Sequence, residues 1–72
     1  MINLTHCENR VAYFRQQKGL SQMELGMIVG VSKNTISSIE LGDTMPRINV
    51  AIAIACVLEV DVDTLFYLIL ND

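Results

Sequence analysis

Positive charge runs out early in this sequence: no Lys or Arg follows Arg47. The five basic residues (Arg10, Arg15, Lys18, Lys33, Arg47) share residues 1–47 with four acids, leaving that part at +1. Residues 48–72 carry only acids (Glu59, Asp61, Asp63, Asp72), and the whole chain stands at −3. An acidic second half turns away from a polyanion, so only the first half suits one. There is one His, His6, and two Cys, Cys7 and Cys56, far apart and matching no metal-ligand spacing. A zinc site is therefore not expected, and the cysteines read as reduced thiols packed in or near a core. No cluster of metal ligands, Gly-rich phosphate loop or Ser/Cys–His–Asp set is present, so neither a cofactor nor catalysis is expected. The longest apolar run, residues 50–58, is too short to cross a bilayer. The chain does not open on a basic-then-apolar leader, and a cytoplasmic location without membrane contact is expected.

What remains is small and apolar. Seventy-two residues make one domain, here 1–72, and 51% of them are hydrophobic. A domain of this size buries only about 60–65% of its unfolded surface. Such a composition often shares apolar surface with a second copy.

Residues 22–41 organise the rest. Ser21 and Glu24 form a capping box that opens a helix, with Leu25, Ile28 and Val29 on one face. Gly30 supplies the left-handed conformation that ends it. Ser32 caps the next helix, whose Ile36 and Ile39 point inward. Two helices joined by so short a turn cross steeply, with closest approach near Gly26, where a large side chain would hold them apart. This is a helix-turn-helix, whose second helix commonly lies in the major groove of DNA.

The flanking segments read as three more helices. Thr5 with Glu8 suggests a capping box opening a first helix that runs to Gln17, with Val11 and Phe14 in the core. Lys18 and Gly19 end it. After Leu41, Gly42 terminates the third helix and Pro46 forbids continuation. A fourth helix spans Ile48–Leu58, with Ile48, Ala51, Ile52, Ala55 and Leu58 as the expected inward stripe. Its other positions, Val50, Ala53, Ile54, Cys56 and Val57, are apolar too. A helix apolar all round is normally buried all round. Asp61 is expected to cap a fifth helix, with Asp63 in its first turn and Leu65 and Phe66 inward. Residues 67–70 (Tyr67, Leu68, Ile69, Leu70) fit either a helical continuation or a short strand. The expected fold is all-α: five compact helices, with helices 2 and 3 as the helix-turn-helix and residues 67–72 as a C-terminal extension available for dimerisation.

Taken in order, Val11, Phe14-Arg15, Gly19-Leu20-Ser21-Gln22, Leu25, Gly30-Val31-Ser32, Thr35-Ile36-Ser37, Ile39-Glu40, Gly42, Pro46, Val60, Asp63 and Leu65-Phe66 resemble the lambda-repressor-like (Xre/Cro-type) helix-turn-helix family. The resemblance covers roughly residues 9–66. It implies a DNA-binding transcriptional regulator, working as a homodimer on double-stranded DNA. It also implies that Gln22 touches the DNA backbone, that the loop after helix 3 contacts phosphates through Thr44 and Arg47, and that Arg15 and Glu40 form a partly buried ion pair. The chain departs from the family at Gly26 (usually Ala), Ser38 (often Arg), Met23 and Met27 (usually charged), and Ala53 and Cys56 (usually Lys).

On helix 3, Lys33, Asn34 and Ser37 are the candidates for base readout, and Thr35 and Ser38 for backbone contact. Lys matches guanine O6/N7, Asn matches adenine N6/N7, and a Thr methyl matches thymine. Val50, Ala53, Ile54, Cys56, Val57, Tyr67, Leu68, Ile69 and Leu70 are the candidate dimer interface. The leading expectation is a repressor on a two-fold symmetric operator. The alternative is a protein-interaction module on the same fold, antitoxin-like or an anti-repressor partner, favoured by the negative charge and Ser38.

Overall fold

The computed structural model describes the backbone of residues 3–71 and the side chains of residues 9–66. Its elements are strand β1 (Asn3–Asn9), helices α1 (Val11–Gln17), α2 (Gln22–Val29), α3 (Lys33–Leu41), α4 (Ile48–Leu58) and α5 (Val62–Leu65), and strand β2 (Phe66–Asn71). The five expected helices form the body of the fold. Val11, Leu25, Ile36, Ile39, Ile54, Ala55, Leu58 and Leu65 make its core, each at most 4% exposed.

The helix-turn-helix forms as its local chemistry dictates. The Ser21 hydroxyl accepts from the Glu24 backbone N–H at 3.0 Å, and the Glu24 carboxylate accepts from the Ser21 N–H at 2.8 Å. Gly30 stands at φ 85°, and the Gly30 and Val31 N–H groups both donate to the Gly26 carbonyl. That wrap brings the turn onto α2. A Cβ at Gly26 would sit 2.6 Å from the Val31 carbonyl oxygen, so the tight approach is to the turn itself. Ser32 caps α3 by accepting from the Thr35 N–H at 3.1 Å.

The structure corrects several sequence expectations. The first helix begins at Val11, because residues 3–9 are extended and pair antiparallel with residues 66–71. The side chains of Thr5 and Glu8 lie outside the described residues. Arg10 holds the N-cap position without a side-chain capping bond, and the Asn9 Oδ1 accepts from the Val11 N–H at 3.2 Å. A partner strand that satisfies the backbone of residues 3–8 outweighs a weak local helix signal. The alternative left open for residues 67–70 resolves as strand.

The α4 stripe is rotated. Ala51, Ile54, Ala55 and Leu58 are buried at i, i+3, i+4 and i+7, whereas Ile48 and Ile52 are 79% and 53% exposed. Ile54, expected at a dimer interface, is fully buried in the monomer core and unavailable to a partner. Only Asn49 in this helix is polar, so its pattern carries no phase, and contacts with the other helices set it. On α2 the inward set is Leu25, Gly26 and Val29, with Ile28 exposed. Finally, Asp61 occupies the N-cap position of α5, but its side chain makes no capping hydrogen bond. Its backbone carbonyl accepts from Thr64 and Leu65.

Candidate nucleic-acid interface

Helix α3 has two faces. Ile36 and Ile39 are buried against the core. Lys33 and Asn34 are exposed, and Thr35, Ser37 and Ser38 are half-buried. Asn34, Thr35, Ser38 and Thr44 line one shallow polar hollow of about 180 Å³. Next to it lies a hollow of about 230 Å³ lined by Val31, Thr35, Ile39, Thr44, Met45, Pro46, Arg47 and Val50, and Thr35 and Thr44 border both. The loop after α3 thus places Thr44 and Arg47 beside the polar residues of the helix. Lys33 and Ser37 belong to the same helix but line neither hollow.

Thr35 is partly committed. Its hydroxyl lies 3.0 Å from the Ser32 hydroxyl, closing the cap on the side of the turn. That leaves the Thr35 methyl group and two of the three hydrogen-bonding positions of its hydroxyl for other contacts. The Ser32–Thr35 pairing is absent from a purely positional reading, although the spacing of two hydroxyls across a helix cap suggests it.

Below this surface lies a polar network that sets the helices. Arg15 Nε donates to Glu40 Oε2 at 2.6 Å, with Arg15 Nη2 at 3.3 Å from Glu40 Oε1. Arg15 Nη1 also donates to the Leu20 carbonyl at 2.9 Å. The two side chains are only 12% and 7% exposed. Gln22 Nε2 donates to Glu40 Oε1 at 2.9 Å. Gln22 was expected at a DNA phosphate, and here its amide is held at the start of α2 by Glu40 of α3. One amide N–H and the amide oxygen stay uncommitted within this bond.

Asn9 was missed at the sequence level. Its Nδ2 donates to the Ile39 carbonyl at 2.7 Å, tying the start of α1 to α3. Asn9 stands two residues before the first helical position, where an Asn can turn its side chain onto the backbone two residues on, but Thr5 and Glu8 offered a competing box.

Cations divide by position. Arg15 is internal to the network, and Lys18 pairs with Glu59 at 2.9 Å, linking the ends of α1 and α4. This contact holds the Glu59 carboxyl below its ordinary value. Lys33 and Arg47 are exposed and form no ion pair with any described residue. Among the described residues no group of His, Cys, Asp and Glu is arranged to hold a metal ion, and no helix is long and apolar enough to cross a membrane.

Of the candidate interface residues on α4, Cys56 is exposed and Val50, Ala53 and Val57 are half-buried. Ile48, Ile52 and Cys56 form the exposed apolar stripe at i, i+4 and i+8. The side chains of Tyr67, Leu68, Ile69 and Leu70 lie outside the described residues.

This geometry agrees with known proteins. The helix-turn-helix family model matches residues 11–65. YgzD of Bacillus subtilis, an HTH-type transcriptional regulator itself uncharacterised, is 34% identical over 61 residues, 85% of this chain and 92% of that protein. The structure is similar to the P22 c2 repressor bound to a synthetic operator, with TM-score 0.73 and 31% identity over 75% of this chain and 82% of that one. It is also similar to the N-terminal DNA-binding domain of SinR from Bacillus subtilis, with TM-score 0.70 and 38% identity over 76% of this chain and 81% of that one. With the capped turn, the buried Ile36–Ile39 face and the family match over most of its length, the chain belongs to the lambda-repressor-like (Xre/Cro-type) helix-turn-helix family of DNA-binding transcriptional regulators.

Proposed function

We propose that this protein is a sequence-specific transcriptional repressor of the cytoplasm that binds a two-fold symmetric operator as a homodimer. The observation that carries this reading is the exposed polar side of α3, flanked by Thr44 and Arg47. Lys33, Asn34 and Ser37 read base edges, and Thr35 and Ser38 meet the backbone. Thr44 and Arg47 hold phosphates, as does Gln22 together with the N–H groups at the start of α2. Phosphate contacts fix the register and base contacts choose the sequence. The similarity to the operator-bound P22 c2 repressor supports this assignment.

Few cations face the DNA, so one copy binds weakly. Two copies joined together turn the second half-site contact into an intramolecular one. The surface proposed for pairing is the outer side of α4 (Val50, Ala53, Cys56, Val57, with Ile48 and Ile52) and the C-terminal strand with Tyr67, Leu68, Ile69 and Leu70.

The test is DNA binding by the full chain and by Lys33→Ala and Ser37→Ala. Loss of specific binding in both, with unchanged helical content, supports the reading. No DNA binding by the unsubstituted chain even at low salt contradicts it.

A further inference from the structure

The acceptor that holds Gln22 is itself held on its other side. Arg15 grips both oxygens of the Glu40 carboxylate, Nε to Oε2 at 2.6 Å and Nη2 to Oε1 at 3.3 Å. Arg15 Nη1 is tied in turn to the Leu20 carbonyl at 2.9 Å, in the link between α1 and α2. A forked guanidinium meets a carboxylate in one geometry, so the carboxylate is not free to turn. Its side chain is only 7% exposed, so little water reaches it. Glu40 Oε1 lies 2.9 Å from the Gln22 amide nitrogen, closer than from Arg15 Nη2, which makes Gln22 its principal donor.

This arrangement fixes the polarity of the Gln22 amide. A carboxylate only accepts, so only the nitrogen end of the amide can face it. The second N–H sits on that same anchored nitrogen, so its direction is set as well. Gln22 is half-buried, and the held amide stays reachable.

Glu40 also shares the face of α3 that carries base-reading candidates. Lys33, Ser37 and Glu40 fall at i, i+4 and i+7 along the helix. The hydrogen bond therefore aligns Gln22 of α2 with two of the residues proposed to read bases.

We propose that Glu40 is a positioning residue for DNA binding, holding the Gln22 amide as a preset phosphate donor at a fixed offset from Lys33 and Ser37. This rests on the DNA-binding reading above and on the phosphate contact given there to Gln22. A free Gln side chain loses rotamer freedom when a ligand orders it, whereas one already held loses little. Arg15 completes the device by cancelling the Glu40 charge, which would otherwise repel the phosphate. Ordering one such side chain in advance corresponds to about 3- to 10-fold in affinity for each copy bound. Because the contact is to a phosphate, the gain is the same for every DNA sequence.

Fluorescence anisotropy of a labelled duplex of mixed sequence at low salt tests this with four forms of the full chain. They are the unsubstituted chain, Gln22→Ala, the pair Arg15→Met with Glu40→Met, and all three substitutions together. Exchanging a buried ion pair for apolar side chains of similar size keeps the net charge and commonly keeps the fold. The pair variant is expected to bind about 3- to 10-fold more weakly per copy, with its salt slope and helical circular dichroism unchanged. It is expected to lose nothing further where Gln22→Ala is already present. Unchanged binding in the pair variant, or an equal loss with and without Gln22, overturns the proposal. Full affinity in Gln22→Ala overturns it too, while DNA binding itself stands. No binding by the unsubstituted chain overturns both.

Nuclear magnetic resonance of the unsubstituted chain decides the matter if the pair variant does not fold. One side-chain N–H of Gln22 is expected to be protected from exchange in the free chain and to stay protected in the DNA complex, while the second shifts as duplex is added. Equal exchange of the two protons in the free chain, or release of the first on binding, overturns the proposal.

Discussion

Arg15 and Glu40 meet across α1 and α3 at 2.6 Å, and the same carboxylate accepts the amide of Gln22 from α2. Three helices thus share one nearly buried charge. Removing one partner leaves the other poorly solvated, which costs about 3 kcal/mol. Arg15→Ala and Glu40→Ala should each lower the unfolding free energy by this order. A double-mutant cycle by urea denaturation should show a coupling of about 1 kcal/mol or more. Independent, additive effects would contradict the assignment.

Gly26 is where α2 touches its own turn. A Cβ there falls 2.6 Å from the Val31 carbonyl oxygen, which belongs to backbone and gives way only if the turn moves. Gly26→Val should destabilise the protein by about 2–3 kcal/mol. Gly26→Ala recovers about 1 kcal/mol of helix propensity against a smaller clash, so it should cost less than Val. Thermal melts of the two variants should rank in that order.

The capping box makes stability respond to acid. The Ser21 backbone N–H, and then its hydroxyl, hold the Glu24 carboxyl below its ordinary value of 4.5. A carboxylate depressed in the folded state contributes stability above its unfolded value and loses it as pH falls through the folded one. Stability should therefore drop as pH falls below the ordinary carboxyl value of 4.5, and Glu24→Gln should make that drop shallower. Glu59, held down by Lys18, contributes in the same sense and keeps part of the slope in the variant.

Arg47 lies beside α3 in the loop after it, on the rim of the apolar hollow. As a phosphate contact, Arg47→Ala should weaken binding evenly across DNA sequences and reduce the salt slope by about 1. Asn34→Ala should instead relax preference at one base position, by about 1–3 kcal/mol. Binding titrations at several salt concentrations against matched and mismatched sites separate the two.

Local chemistry made much of this fold legible before any coordinates. Ser21 with Glu24, Gly30 and Ser32 act through bonds that close within a few residues, and all appear where the sequence placed them. Legibility failed where a decision depends on distant partners. Helix α4 has one polar residue, so nothing in its pattern distinguishes Ile52 from Ile54, and only packing against the other helices buries the latter. Residues 67–70 are apolar without alternation and suit either a helix or a strand. Their pairing with residues 4–8 is a contact across almost the whole chain. At the candidate site, the polar residues of α3 were readable as a face, but the bond from Gln22 to Glu40 was not. It joins residues 18 apart through long side chains.

The central claim is that two copies of α3 read a symmetric site. Selection of bound sequences from a random DNA pool by the unsubstituted chain tests it most directly. The account predicts an enriched palindrome whose half-sites lie about one DNA turn, ~34 Å, centre to centre. Enrichment of a single unrepeated half-site, or of no sequence at all, would contradict it.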